Sequence, residues 1–241
     1  MMNKLYAGAQ KLGIHLTQTQ LAQFETYFQE LVRGNERMNL TAITDYDEAQ
    51  VKHFLDSLTV ISGVRLEGNT RPLYVIDVGT GAGLPGLPLK IVLPHTRLAL
   101  LEATTKKVKF LENLTDRLGL KDIEIINGRA EEVAHDARYR EKFELVLSRA
   151  VASLPTLVEL TLPFCAIGGY FIAQKKGDIG EEVRRSQKAI ELLGGKLREV
   201  KPVELKELQD NRTLVMIDKV APTPLTYPRR PGIPARRPIG A

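Results

Sequence analysis

Residues 73–86 read Leu-Tyr-Val-Ile-Asp-Val-Gly-Thr-Gly-Ala-Gly-Leu-Pro-Gly, and this stretch decides the fold. A short apolar run opens directly into glycines at 79, 81 and 83, the pattern of a buried strand that turns sharply at its end. Such glycines permit a tight turn and let backbone N–H groups come close to a ligand. Pro85 stands where a following helix, over residues 87–93, would start, and its missing N–H costs little there. Downstream, apolar runs at 97–101, 123–126, 144–147 and 166–173 predict further strands, with helices over 106–118 and 179–193. Two late runs, 200–205 and 213–219, are joined by a short polar connection suited to a hairpin. Alternating strands and helices imply a mostly parallel sheet covered on both faces, and the hairpin supplies an antiparallel edge. The expected fold class is therefore α/β and Rossmann-like.

Upstream the periodicity is helical. Leu21, Phe24, Phe28, Leu31 and Val32 share one face of a helix that Gly34-Asn35 is expected to end. Thr44-Asp45 followed by Asp47-Glu48 predicts the start of a second helix reaching about Leu58, and residues 63–72 read as a linker. The expected organisation is a helical extension over 1–70, an α/β domain over 71–220 and a C-terminal arm over 221–241. With 241 residues, 43% of them apolar and 26% charged, the chain can bury a core without disulfides or metals, which excludes a disordered or collagen-like protein. Cys165 is the only cysteine, so no internal disulfide forms; it reads as core filler in a reducing compartment. His15, His53, His95 and His135 show no metal-ligand spacing, and no metal is expected. The start lacks the apolar core of a signal peptide, and the apolar window 153–173 is broken by Pro155, Glu159, Pro163 and Gly168-Gly169. The expectation is a cytoplasmic monomer without a membrane span.

The formal charge of +5 is concentrated. The last 21 residues hold Arg229, Arg230, Arg236 and Arg237, six of the 13 prolines and no acid, so the rest of the chain is nearly neutral. Clustered arginines point to a polyanionic partner better than a faint overall basicity does. The proline content argues against helix or central strand after Pro222. Tyr227 and the four arginines offer charge and a stacking surface to RNA.

The glycine loop has rival readings. Gly81-Ala-Gly83-Leu-Pro-Gly86 spells G-x-G-x-x-G, and Glu102 follows Gly81 by 21 residues, near the place of a ribose-binding acid in dinucleotide enzymes. An NAD(P)-dependent oxidoreductase is thus one reading, and a turn that binds nothing is another. Asp77 before the glycines can meet a ligand amine, about 70 helical residues precede the first strand, and no second substrate domain follows the last parallel one. These features favour S-adenosylmethionine, with its ribose on Glu102 and its amino-acid end over the loop Gly79, Gly81 and Gly83.

The chain resembles the bacterial small-subunit rRNA guanine-N7 methyltransferases called RsmG or GidB. The resemblance runs through Asn35-Glu-Arg-Met-Asn-Leu-Thr41, His53-Phe-Leu-Asp-Ser57, Asp77 to Gly86, Gly128-Arg-Ala-Glu-Glu132, Ser148-Arg-Ala-Val-Ala152 and Tyr227-Pro-Arg-Arg-Pro-Gly232. It implies a class I methyltransferase fold with a seven-stranded sheet. The implied activity is methylation of guanine N7 in the 530 loop of 16S rRNA, in the small ribosomal subunit. Implied cofactor contacts are Gly79, Leu84, Glu102, Ala103, Thr104, Ala130, Glu131 and Arg149, with the backbone around Ala130 flanking adenine. Implied positioning residues for RNA or the reacting guanine are Lys106, Arg129, Lys175 and Arg212, while Arg149 can face either ligand. A non-catalytic rRNA-binding protein with a dead cofactor site is the alternative that intact Asp77, Gly79, Glu102 and Arg149 oppose.

The residues agree with that chemistry. Methyl transfer from a sulfonium needs alignment more than proton transfer. Attack by cytosine C5 requires a cysteine nucleophile, and methylation of an exocyclic amine commonly uses an Asn/Asp-Pro-Pro-aromatic signature where this chain has Ser148-Arg149-Ala150. A ring nitrogen already offers its lone pair and needs no general base. Strand ends of a parallel sheet share one rim, and there the sequence places Lys106, Arg129, Arg149 and Lys175-Lys176. His53 and Asp56, three apart on a predicted helix, read as a pair anchoring the helical segment, and Asn35, Asn39 and Thr41 read as capping and turn residues.

Overall fold

Alternation along the strands produces two separate cores on opposite faces of one sheet. A computed structural model describes residues 2–65, 71–149, 152–208 and 211–240. The strands are β1 (Tyr74–Val78), β2 (Arg97–Glu102), β3 (Ile123–Asn127), β4 (Phe143–Arg149), β5 (Cys165–Lys176), β6 (Gly195–Pro202) and β7 (Arg212–Lys219). They form a seven-stranded sheet in the order β3-β2-β1-β4-β5-β7-β6. β1 to β5 run parallel, and β7 lies antiparallel between β5 and β6. Strand order reverses around β1, which opens a crevice at its C-terminal end, the usual ligand position of such sheets.

Val75, Leu98, Leu100, Leu145, Leu147, Ile172 and Met216 point into the first core, and their chain neighbours Ile76, Ala99, Leu101, Val146, Phe171, Val215 and Ile217 into the second. The first core is completed by the N-terminal helices α1 (Asn3–Lys11) and α2 (Gln18–Met38), through Leu5, Phe24, Tyr27 and Leu31, together with Phe54, Leu55 and Leu58. Leu154, Leu157 and Val158 from α8 (Leu154–Thr161) and Ala189 and Ile190 from α9 (Gly180–Leu192) fill the second. Cys165 is fully buried there, and burial pushes its thiol up to about 12.

The N-terminal region departs from expectation in two places. Helix α2 does not stop at Gly34-Asn35 but continues to Met38, where Asn39 adopts the left-handed conformation. Gly34 serves packing: a Cβ there would lie 2.8 Å from Leu40 and from the Phe110 ring of α6 (Thr105–Leu118). The next helix is capped by Asp45, whose Oδ1 accepts the Glu48 N–H, and starts as α3 (Tyr46–Ala49). It then widens into a π turn over Gln50–Leu55 before α4 (Asp56–Leu58) and a 3-10 turn (Thr59–Gly63). The expected linker falls partly outside the described residues, as does part of the β6–β7 connection. β6 itself lies earlier than expected, ending at Pro202, because Leu205 folds back into the first core.

Between β1 and β2 runs α5 (Gly86–Val92), and α7 (Ala130–Val133) follows β3. The arm folds back onto α8 and, despite its prolines, forms one helical turn, α10 (Ile233–Arg236), with Pro234 in the first turn where proline is tolerated. Ile239 seals the second core. Arg229, expected to face RNA, turns inward instead: its guanidinium forks onto Glu159 at 2.6–3.2 Å, and its own N–H reaches the same carboxylate at 2.8 Å. Glu159 is fully buried, so removing its partner leaves a charge in a dry site. Arg229→Met is expected to lower unfolding free energy by about 3–5 kcal/mol in urea titrations. The double variant Arg229→Met/Glu159→Leu should regain much of that loss; equal stability of the single variant and wild type would refute the assignment.

Candidate active site

The end of β1 delivers Asp77 into the crevice, fully buried. Its Oδ2 accepts the Thr80 hydroxyl at 2.7 Å and the Gly86 N–H at 2.9 Å. A Cβ on Gly86 would stand 3.0 Å from the Asp77 side chain, tighter than nearly all real Cβ contacts, so glycine eases this approach. The other oxygen, Oδ1, is buried without a partner. Burial raises the Asp77 carboxyl to about 6, against the Thr80 and Gly86 hydrogen bonds and the nearby Arg149, which favour the ionised form.

The glycine loop is pinned from both sides. Gly79 and Thr80 donate their N–H groups to Leu101 O of β2, at 2.9 and 3.1 Å. Gly79, Gly81 and Gly83 all have positive φ, which suits residues without Cβ. Beside Gly81 the space for a side chain is open, whereas a Cβ on Gly83 would meet Leu87 and the Tyr27 hydroxyl. Tyr27, buried in α2, donates to Ala82 O at 2.6 Å. Sequence reading missed Tyr27 as a site residue because its partner lies 55 residues away and its helical spacing marks it only as core. Leu84 is buried in the first core.

Glu102, at the end of β2, accepts Gly81 N–H on Oε2 at 3.0 Å and Thr104 N–H on Oε1 at 2.8 Å. Each oxygen keeps a second acceptor site, so the carboxylate is oriented by backbone and still able to take a pair of hydroxyls. Ala103 and Thr104 are exposed before α6, and Ala130 and Glu131 form the half-buried first turn of α7. An unpartnered buried acid, an open glycine turn and a fixed carboxylate suit a ligand with an amine at one end and a ribose at the other.

Asp56 gathers the cations on the opposite wall. Its Oδ2 lies 3.0 Å from Arg149 Nη1 and its Oδ1 3.2 Å from Arg212 Nε, all three side chains being largely buried. Gln174 Nε2 donates to the Asp56 carbonyl at 2.7 Å. The expected pairing of His53 with Asp56 does not form. His53 Nε2 instead meets Thr41 Oγ1 at 2.7 Å, because the π turn sends the two side chains to different partners. Thr41 N–H in turn donates to Asn35 Oδ1, and Thr41 Oγ1 accepts from Ile43. Lys175 is drawn inward, to Ala152 O at 3.0 Å and Glu182 at 2.7 Å. Lys106 and Arg129 are exposed, as are Arg230, Arg236 and Arg237 of the arm, while Tyr227 packs half-buried against the second core. Ala150, Val151 and Ala241 fall outside the described residues. Among those described, no cluster of metal-ligating side chains is found, and no helix is long and apolar enough to cross a membrane.

Burial lowers His53 to about 4, with Arg149 acting in the same direction. As pH falls from about 6.5 to 4, the unfolded histidine takes a proton that the native one refuses, so native stability drops by about 3 kcal/mol. Asp77 acts oppositely: its native carboxyl takes a proton near 6 and its unfolded one near 3.8, so stability rises by about 3 kcal/mol over a similar window. The two effects largely offset each other. In thermal melts, Asp77→Asn should therefore lose stability more steeply than wild type between pH 6.5 and 4, and His53→Gln should gain it; parallel profiles would contradict both assignments.

The GidB family, described as rRNA small subunit methyltransferase G, matches residues 20–214. A Dehalococcoides mccartyi protein named ribosomal RNA small subunit methyltransferase G is 54% identical over 99% of this chain and 100% of its own length. The protein of that name from Alkaliphilus metalliredigens is 46% identical, over 96% of each chain. Among solved structures, a SAM-dependent methyltransferase from Aquifex aeolicus superposes with a TM-score of 0.52 at 16% identity, over 72% of this chain and 93% of that one. A structure of MtNAS in complex with S-adenosylmethionine gives 0.54 at 14% identity, over 91% and 78%. At such identities the structures speak for the class I methyltransferase fold alone, whereas the family match and the close relatives span the loop, both walls of the crevice and nearly all of the remaining sequence: the chain belongs to the GidB family of rRNA small subunit methyltransferases.

Proposed function

We propose that this protein transfers a methyl group from S-adenosylmethionine to N7 of a guanine in the 530 loop of 16S rRNA, acting as a cytoplasmic monomer on the small ribosomal subunit. The observation that carries the reading is the crevice at the end of β1, with Asp77 Oδ1 unpartnered at one side and Glu102 fixed by two N–H groups at the other. When bound, S-adenosylmethionine supplies an electrophilic methyl on a sulfonium.

Asp77 and the N–H groups of the glycine loop hold the amino-acid end, Glu102 takes the ribose hydroxyls, and Leu84, Ala103, Thr104, Ala130 and Glu131 line the remaining contacts. Gly79, Gly81 and Gly83 keep the loop low enough for close approach. The oxidoreductase alternative uses the same Glu102, but it gives Asp77 no cationic group to meet. Arg149 pairs with Asp56 at 3.0 Å, and its charge favours the deprotonated forms of Asp77, His53 and Tyr27. We assign it to the target side of the methyl group, where with Arg212, Lys106 and Arg129 it orients the guanine and its flanking phosphates, while Lys175, paired with Glu182, braces that wall instead. Neither Cys165, sealed in the second core, nor His53, held neutral against Thr41, is positioned as a nucleophile or base. A ring nitrogen needs neither, and orientation in the crevice suffices for in-line attack.

The direct test incubates the protein and methyl-labelled S-adenosylmethionine with small subunits from a strain lacking the enzyme, then maps 7-methylguanosine by chemical strand scission. Label confined to another atom, or to protein, would overturn the reading. Glu102→Ala is expected to weaken S-adenosylmethionine binding at least tenfold by calorimetry, since it frees the Gly81 and Thr104 N–H groups as well as the ribose. Asp56→Asn should lower kcat about tenfold with little change in the KM for S-adenosylmethionine, because it releases Arg149 and Arg212 on the target side; a pure KM effect would move these residues to the cofactor side.

A further inference from the structure

The segment expected to flank adenine is short and only its edge is held by the second core, where Ala134 is buried and Ala130 and Val133 pack half-buried. Helix α7 is a single turn, Ala130–Val133, without one buried residue. A helix that short does not sustain itself in water. Its polar support comes from the far end of the chain. Glu131 Oε1 accepts the N–H of Gly232 at 3.1 Å. His135 Nε2, just past the turn, donates to Pro228 O at 2.8 Å. Arg140 spans both pieces: Nη1 donates to Ala134 O at 3.0 Å and Tyr227 O at 2.9 Å, and Nη2 to Thr223 O and Pro224 O at 2.8 and 3.1 Å. Tyr227, Ala130 and Val133 each pack, partly buried, against the second core.

The arm is itself anchored well enough to act as a brace. Arg229 is fixed on buried Glu159, and Pro234 O accepts the Thr156 hydroxyl at 3.2 Å. Lys219, buried where the arm leaves β7, donates to Leu162 O and Leu193 O and pairs with Thr223 and Glu141. Meanwhile Arg230, Arg236 and Arg237 are exposed. One short segment thus carries an inward face bonded to α7 and outward arginines free to meet phosphate.

We infer that the C-terminal arm is part of the cofactor site: its inward face, through Arg140, Gly232 and Pro228, positions the adenine-flanking turn at Ala130-Glu131, while Arg230, Arg236 and Arg237 serve the RNA separately. The inference rests on the proposed methyltransferase reading. It goes beyond that reading in making Arg140, which touches no ligand, a positioning residue for cofactor binding.

The test compares two full-length variants with wild type. Arg140→Met keeps the aliphatic stem and every arm arginine but removes the four donated bonds. It should raise the KM for S-adenosylmethionine about tenfold, leave kcat within about twofold, and speed amide exchange over residues 130–134. Affinity for undermethylated small subunits should stay within about twofold. The triple variant Arg230→Gln/Arg236→Gln/Arg237→Gln should do the reverse, keeping cofactor affinity while flattening the salt dependence of subunit binding by about 2 in log–log slope. Cofactor affinity is taken per folded molecule, from the calorimetric stoichiometry, so that lost stability alone is not counted. An Arg140→Met protein that melts earlier but keeps the wild-type KM would overturn the inference, as would equal loss of cofactor affinity in both variants. Wild-type protein that fails to bind S-adenosylmethionine would instead overturn the methyltransferase reading beneath it.

Discussion

A single carboxylate withdrawn from water, that of Asp56, ties the N-terminal helices to the working edge of the sheet. It lies between guanidiniums from the end of β4 and the start of β7, and its backbone carbonyl is held by Gln174 of β5. Burial of these charges is tolerable only because they satisfy one another; loss of any one strands the rest. The arrangement makes the helical segment a structural part of the crevice. Tyr27 repeats the pattern on the other wall, reaching from α2 to the carbonyl of Ala82 in the glycine loop.

Both ends of the chain therefore complete the enzyme core. The N-terminal helices close the first core, and the arm closes the second through Ile239 and Tyr227. Each end also delivers polar contacts to the crevice, from Tyr27 and Asp56 at one side and Gly232 at the other. The parallel strands supply the platform, but the positions of the loop and of the α7 turn depend on segments outside it.

Much of the platform was legible in the sequence. Apolar runs ending in glycine or charge gave the parallel strands to within a few residues, because strands buried on both faces leave a plain hydrophobic signal. That Asp77, the glycines and Glu102 meet at one crevice was readable because their spacing along one β-α-β unit is local. Gly34 was misread: its helix-breaking tendency is real but modest, and close packing on Phe110 outweighs it. The partners of Arg149, Arg212, Tyr27 and Arg229 lie 55 to 156 residues away in sequence, and no periodicity encodes such contacts. Arg229 shows the hazard most plainly. Composition assigns all four arm arginines one role, while the fold turns this one inward and leaves the other three exposed.

The π turn at Gln50–Leu55 carries a consequence for how this family can vary in length. Such a turn is equivalent to an α-helix holding one surplus residue. Each residue of an α-helix advances the side-chain direction by about 100°. Deleting one residue there would restore a regular helix, with better local hydrogen bonding, and swing Asp56 a quarter-turn or more away from Arg149 and Arg212. The locally preferred helix and the assembled crevice are thus in conflict over one residue. Length at this point is constrained as strictly as identity at Asp56.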